Sequence, residues 1–146
     1  MDHEIVLNKC YSGFELSPKA MEMIAKKKGL VYFIYKFDKD KFVKINTVEK
    51  NWPEDSYYYI TSKDFGDEVG LKDISSNLED YFLNIARHDK DLVSTVKELG
   101  RESFGYSSVL EIEKTTSKLY KIDNWDGYER LVVPEDVDWC IIEEDA

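Results

Sequence analysis

Few residues of this 146-residue chain are of types that carry out covalent chemistry. Cys10 is a potential nucleophile, but a reactive thiolate needs a neighbouring base or a cationic, partly exposed setting. The chain has two histidines, His3 and His88, and nothing in the sequence places either beside Cys10. The simpler interpretation is that Cys10 is a small buried residue at a strand end. A small enzyme using Cys10 or His88 is therefore kept only as an alternative.

The densest polar cluster is Arg87-His88-Asp89, directly before a predicted helix. Arginine is the preferred residue for bidentate contacts with phosphate or carboxylate, and the chain has only three, Arg87, Arg101 and Arg130. Arg87 and His88 can hold an anion near the amino end of that helix. The competing interpretation is that Asp89 caps the helix and Arg87 forms an ion pair on the surface.

A second cluster, Asp123–Glu129, groups carboxylates with aromatic side chains. It lacks the twelve-residue oxygen spacing of a calcium loop, and sequence cannot show the paired carboxylates of a glycosidase. The simpler interpretation is a hairpin turn with a polar tip, on which an exposed Trp125 or Tyr128 can anchor a partner. The predicted ligand-binding residues are Arg87, His88, Arg101, Trp125, Asp126, Tyr128 and Arg130.

The sequence contains no phosphate-binding glycine loop, nucleophile elbow or zinc-protease motif, and no histidine or cysteine pair at ligand spacing. We therefore expect no catalytic residues, metal or cofactor. Thirty acidic residues against twenty basic ones give a net charge of −10, which argues against long nucleic acids and anionic membranes. We expect a cytoplasmic protein, because the sequence has two distant cysteines, no apolar run long enough to cross a membrane and no leader pattern.

The helices and strands that would position these residues predict an α+β fold. We expect one domain over 1–146, with a flexible acidic end at 143–146. Ser17-Pro18 and Gly29 bound a helix at about 18–28, and Asp89 and Gly100 bound another at about 90–99. The remaining apolar and aromatic runs predict a mainly antiparallel sheet. Its expected strands are 4–10, 30–37, 42–45, 57–61, 81–85, 109–112, 118–123, 128–133 and 137–142. Residues 62–80 are expected to be irregular, with one helical turn.

Three segments in order resemble a family of small proteins encoded widely by tailed bacteriophages. The residues 7–17, Leu-Asn-Lys-Cys-Tyr-Ser-Gly-Phe-Glu-Leu-Ser, are similar to the family's Asn-Lys-Cys-Tyr-Gly-Gly-Phe-x-Leu-Ser opening. Arg87–Val93 with Glu98-Leu-Gly100 resembles Arg-x-Asp-Pro-x-Leu-Val and Glu-Leu-Gly. The residues 120–129 resemble a Tyr-x-Ile-x-x-Tyr-Asp-Gly-x-Glu hairpin.

The chain departs from the family pattern at a few positions. Ser12 replaces a glycine, Lys90 stands where proline is common, and Trp125 replaces a tyrosine, while the tail Pro134–Ala146 has no counterpart. The resemblance implies a phage accessory protein that acts in the host cytoplasm and is dispensable for virion assembly. It transfers no catalytic residues.

The leading hypothesis is a binding protein that counters a host antiviral defence by sequestering a nucleotide-derived signal. An aromatic side chain would stack on the base and Arg87, Arg101 or Arg130 would hold phosphate. Because the chain carries −10, the pocket would have to be locally basic. The alternative is direct inhibition of a host protein through the acidic surface and exposed aromatic residues. A homo-oligomer is compatible with a small β-rich domain.

Overall fold

The computed structural model describes residues 1–48, 58–76 and 85–143, which form an α+β fold with mainly antiparallel sheets. The helices are α1 (Pro18–Lys28), α2 (Leu71–Ser76) and α3 (Lys90–Leu99). The strands are β1 (His3–Asn8), β2 (Phe33–Asp38), β3 (Lys41–Ile45), β4 (Tyr58–Thr61), β5 (Glu68–Gly70), β6 (Leu110–Thr115), β7 (Lys121–Trp125) and β8 (Tyr128–Val132).

Both principal helices begin and end where the sequence predicts. The Ser17 hydroxyl accepts a hydrogen bond from the Ala20 backbone N–H at 3.1 Å, and Gly29 closes α1 in the left-handed conformation at φ 66°. The Asp89 carboxylate accepts from the backbone N–H groups of Asp91 and Leu92, and the Gly100 N–H donates to the Val96 carbonyl. After α3 the chain continues as a short 3₁₀ turn over Gly100–Ser103.

The described strands form three groups that pair in antiparallel fashion. β1 pairs with β6, β7 pairs with β8, and the order β4-β2-β3-β5 makes a four-stranded sheet. The β7–β8 hairpin turns at Asp126-Gly127, where both residues have positive φ (51° and 92°). This is the turn geometry that matches the twist of a two-residue hairpin, so the Asp-Gly signal is confirmed.

Two apolar clusters form the core. The larger one brings α1 and α3 against β1 and β6, and its buried members are Val6, Leu16, Ala20, Ile24, Leu92, Val93, Val96 and Leu110. The smaller one lies on the four-stranded sheet around Tyr35, Phe42 and Ile74. The Tyr35 hydroxyl is held there by donation to the Gly66 carbonyl and acceptance from the Phe65 N–H, and burial raises the pKa of Tyr35.

Some predicted elements differ in the structure. The prediction of a last strand at 137–142 is wrong. Pro134–Asp136 forms a 3₁₀ turn, and no strand pairing follows it in the part of the chain described here. The stretch 62–80 is more regular than expected, since it contains β5 and α2. The predicted 51–55 loop and most of the 81–85 strand lie outside the described residues, as do 144–146.

Candidate functional site

The three segments singled out in the sequence meet at one buried junction. The Arg87 guanidinium makes a bidentate ion pair with Glu129, with Nη1–Oε1 at 2.5 Å and Nη2–Oε2 at 2.8 Å. The Glu129 residue is 2% exposed. The guanidinium also lies flat against Phe14, 3.6 Å from the ring centre. One arginine therefore joins the loop before α3 to the hairpin and to the opening segment.

Asn8, at the end of β1, completes the junction. Its backbone N–H donates to Glu129 Oε1 at 2.8 Å, and its side-chain Nδ2 donates to the carbonyls of Cys10 and Gly127, both at 2.8 Å. The Asn8 Oδ1 accepts from the Val109 N–H at 3.0 Å. The side chain is buried, so these bonds replace the water that it loses on folding.

The hairpin turn packs directly on the opening segment. A Cβ placed on Gly127 would lie 2.3 Å from the Gly13 backbone nitrogen and 2.8 Å from the Ser12 carbonyl carbon. The Tyr11 and Tyr128 rings pack 5.3 Å apart, and the Lys9 ammonium lies over the Tyr128 ring. Gly127 is therefore required for the close backbone approach as well as for its positive φ.

This arrangement gives Arg87 and Asp89 structural partners. An anionic ligand would have to displace Glu129 to reach the Arg87 guanidinium. The amino end of α3 is already occupied by the Asp89 carboxylate, which the Lys28 ammonium contacts at 2.6 Å. Burial raises the pKa of Asp89, but the hydrogen bonds from Lys28 and the backbone outweigh it, and the net shift is downward. The same bond raises the pKa of Lys28.

His88 lies in a groove that the sequence did not indicate. The groove has a volume of about 460 Å³ and runs between the start of β1 and one face of α3. From α3 it is lined by Lys90, Val93, Ser94 and Lys97, which share a face because they recur at helical spacing. Its remaining lining is Met1, Asp2, His3, Glu4 and His88.

The charge of this groove differs from that of the whole chain. Two lysines offset two carboxylates there, and both histidines of the chain line it, whereas the chain carries −10. Lys97 is paired with Glu4 at 2.6 Å. Lys90 is exposed at the first turn of α3. The groove, which we call the β1–α3 groove, therefore offers cationic and neutral donors on a predominantly acidic protein.

A second groove of about 290 Å³ is mostly apolar and lies at the open end of the β7–β8 hairpin. Its lining is Leu119, Tyr120, Lys121, Val132, Val133, Pro134, Val137 and Trp139. The Tyr120 hydroxyl lies 2.7 Å from His88 Nδ1, and the two rings pack edge to face. Burial raises the pKa of Tyr120. This pair connects the two grooves.

The other predicted site residues do not converge. Arg101 is exposed in the 3₁₀ turn after α3, and Arg130 is exposed on β8, where it contacts Asp123 at 3.4 Å. Trp125 is 78% exposed and Asp126 is exposed beside it at the hairpin tip. Tyr128 is half-buried against Tyr11.

Cys10 is half-buried at the end of the opening strand segment, and Cys140 is exposed in the tail. His88 is hydrogen-bonded to the Tyr120 hydroxyl. Within the described residues no group of three or more His, Cys, Asp or Glu side chains is arranged to hold a metal ion.

Sequence reasoning missed Asn8, Lys90 and Lys97, and it treated Glu129 only as part of a turn. The helical spacing of Lys90 and Lys97 was a usable signal, because positions seven apart lie on one helix face. The pairing of Glu129 with Arg87 had no local signal, since 42 residues separate them.

Comparison with protein-family models, with curated proteins and with solved structures finds no match to this chain. In the described ranges, no helix has the length and hydrophobicity that crossing a membrane requires.

Proposed function

We propose that this is a phage-encoded accessory protein that acts in the host cytoplasm by binding a phosphate-bearing, nucleotide-derived signal of antiviral defence. The observation that supports it is the β1–α3 groove, where both histidines lie and two lysines offset two carboxylates on a chain of net charge −10. Its volume of about 460 Å³ lies within the roughly 300–1,000 Å³ of small-molecule sites.

The groove suits a phosphate in particular. Lys90 and Lys97 lie two turns apart on α3 and both line the groove. The exposed Lys90 ammonium would bind the phosphate, which would compete with Glu4 for the Lys97 ammonium. His3 and His88 also line the groove, and the His88 Nδ1 is engaged with the Tyr120 hydroxyl. Beyond His88, the Tyr120 ring in the neighbouring apolar groove offers an aromatic surface for a base.

The test is to incubate the purified protein with a panel of cyclic nucleotides and ADP-ribose derivatives, remove unbound ligand, and identify what heating releases. Retention of one ligand at near-stoichiometric amounts supports the proposal. Titration calorimetry on that ligand should then show at least about a tenfold loss of affinity for Lys90→Glu, because a repulsive charge replaces a donor. The matched control is Lys39→Glu, an exposed lysine in the β2–β3 turn, which should bind normally. Retention of no panel member contradicts the proposal.

A second candidate function is direct inhibition of a host protein. Trp125 favours it, because this large aromatic side chain is 78% exposed at the tip of an ordered turn and is flanked by Asp126. Affinity capture from host lysate should recover one stoichiometric partner, and Trp125→Ala should lose it. Recovery of background proteins alone counts against this candidate.

A further inference from the structure

The open end of the β7–β8 hairpin and the tail that follows it carry several exposed apolar side chains. Trp139 is 84% exposed, Ile141 is 86% exposed and Leu119 is 70% exposed, with Val137 and Ile142 also exposed. Together with the apolar groove beside them, they form what we call the C-terminal surface. Isolated exposed apolar residues are ordinary, but Leu119, Val137 and Trp139 line one groove, and a group of exposed apolar residues marks a contact surface.

Two stretches of backbone at this surface, the tail and the outer edge of β7, also pair with no described strand. Residues 137–143 follow the 3₁₀ turn without joining a sheet in the described part of the chain. Strand β7 pairs with β8 along one edge, and no other described strand pairs with its outer edge. Exposed strand edges are surfaces on which another chain adds its own backbone.

The charges around the surface are self-complementary. The tail carries Glu135, Asp136, Asp138 and Glu143, whereas the neighbouring end of β7 carries Lys118 and Lys121. Lys121 is 68% exposed. A partner suited to this surface therefore presents an apolar segment flanked by acidic residues, together with lysines that meet the acidic tail. The tail and the β7 end of a second copy have both properties.

We propose that a second copy of this chain covers the C-terminal surface across a two-fold axis. Ile141 and Ile142 of each copy then reach the apolar groove of the other, and Lys121 of each faces the acidic tail of the other. Because the contact uses the same surface twice, it closes as a dimer and does not continue into a fibre.

The size of the surface is sufficient for such a contact. Five exposed apolar side chains bury roughly 500 Å² per copy at about 100 Å² each, which is most of the ~800 Å² per partner of a specific interface. The adjoining groove and strand edge supply the remainder.

Sedimentation velocity over a concentration series tests the proposal on the full chain. The wild type should move from monomer to dimer as concentration rises. Trp139→Glu should raise the dimer dissociation constant by about thirtyfold or more, since it replaces a central aromatic residue with a charge in an already acidic tail. Trp125→Glu is the matched control, because that tryptophan is similarly exposed at the opposite end of β7, and it should dimerise like the wild type.

A charge exchange separates this contact from non-specific association. Lys121→Glu should weaken the dimer, and combining it with Asp138→Lys should restore part of the affinity. Both positions are exposed, so circular dichroism should show an unchanged fold. A wild type that stays monomeric up to its solubility limit overturns the proposal. A dimer that is unaffected by Trp139→Glu also overturns it. So does the finding that the tail binds a host protein and not a second copy of the chain.

Discussion

The two ends of the β7–β8 hairpin are built in opposite ways. At the turn end, Gly127 approaches the opening segment and Glu129 is buried in its ion pair with Arg87. At the open end, Leu119 and Trp139 present large apolar surfaces to solvent. The turn end buries polar groups that have partners and exposes one large apolar side chain, Trp125, at its tip, whereas the open end exposes several apolar side chains.

The residues that stabilise the hairpin therefore differ from the residues that are free to bind a partner. A buried, fully paired polar network fixes the position of the hairpin, because an unpaired member would be costly. Exposed apolar side chains contribute little to the stability of a monomer and much to association. The buried junction at the turn end therefore holds the hairpin in place, while the open end and the exposed Trp125 at the tip are available for contacts.

The largest expected effect is at the ion pair. Glu129→Ala leaves the Arg87 guanidinium without its partner and should lower the free energy of unfolding by about 3–5 kcal/mol. Urea denaturation followed by circular dichroism measures it. The double variant Arg87→Met with Glu129→Leu should recover much of the loss, because it removes both charges. A single variant within about 0.5 kcal/mol of wild type would show that the turn end does not depend on this pair.

Gly127→Ala should lower the free energy of unfolding by about 3 kcal/mol, since the added Cβ meets the Gly13 backbone and also strains the positive φ. Gly29→Ala is the control, because Gly29 has a positive φ of 66° with open space around its Cβ position. It should cost about 1 kcal/mol, from backbone strain alone. Equal losses in the two variants would contradict the close packing of turn and opening segment.

The Asp89 cap gives a smaller effect that depends on pH. Asp89→Ala should cost about 1 kcal/mol at neutral pH. Because the folded pKa of Asp89 lies below its ordinary 3.8, its contribution is present above that value and is lost as pH falls through the folded pKa. Thermal melts from pH 7 to pH 2 should therefore show the wild-type and Asp89→Ala curves converging in acid. A constant difference over that range would exclude the charge of Asp89 as the cause.

The smallest effect on unfolding is expected at the open end. Trp139→Ala should change the free energy of unfolding by less than about 0.5 kcal/mol, when measured at a concentration where the copies are apart. Its 84% exposure leaves little packing to lose. A larger loss would mean that the tail stabilises its own chain, and the contrast between the two hairpin ends would then fail.

Local signals in the sequence were sufficient for the two principal helices and the hairpin turn, and insufficient for the contacts that join them. Ser17, Gly29 and Asp89 act on neighbouring backbone, so both helices were predictable to the residue. The Asp126-Gly127 turn was predictable for the same reason. Val137–Ile142 has the composition of a strand, but a strand needs a partner edge, and sequence composition does not supply one.

The candidate site was less predictable. His88 lies in the β1–α3 groove as a predicted residue, but Arg87 turns into the junction and Arg101 and Arg130 lie elsewhere on the surface. Which arginine faces solvent and which is paired is decided by contacts across many tens of residues. Those contacts depend on topology, which hydrophobic periodicity alone does not specify.

The bond from the Asn8 N–H to Glu129 also bears on how the chain is made. Their separation of 121 positions means that the first strand emerges from the ribosome long before its final partner exists. Until residue 129 is synthesised, the Arg87 guanidinium and the Asn8 amide must remain hydrated or bind elsewhere. Closing so long a loop comes late and slowly in folding, so we expect the junction to be the last part of the molecule to form.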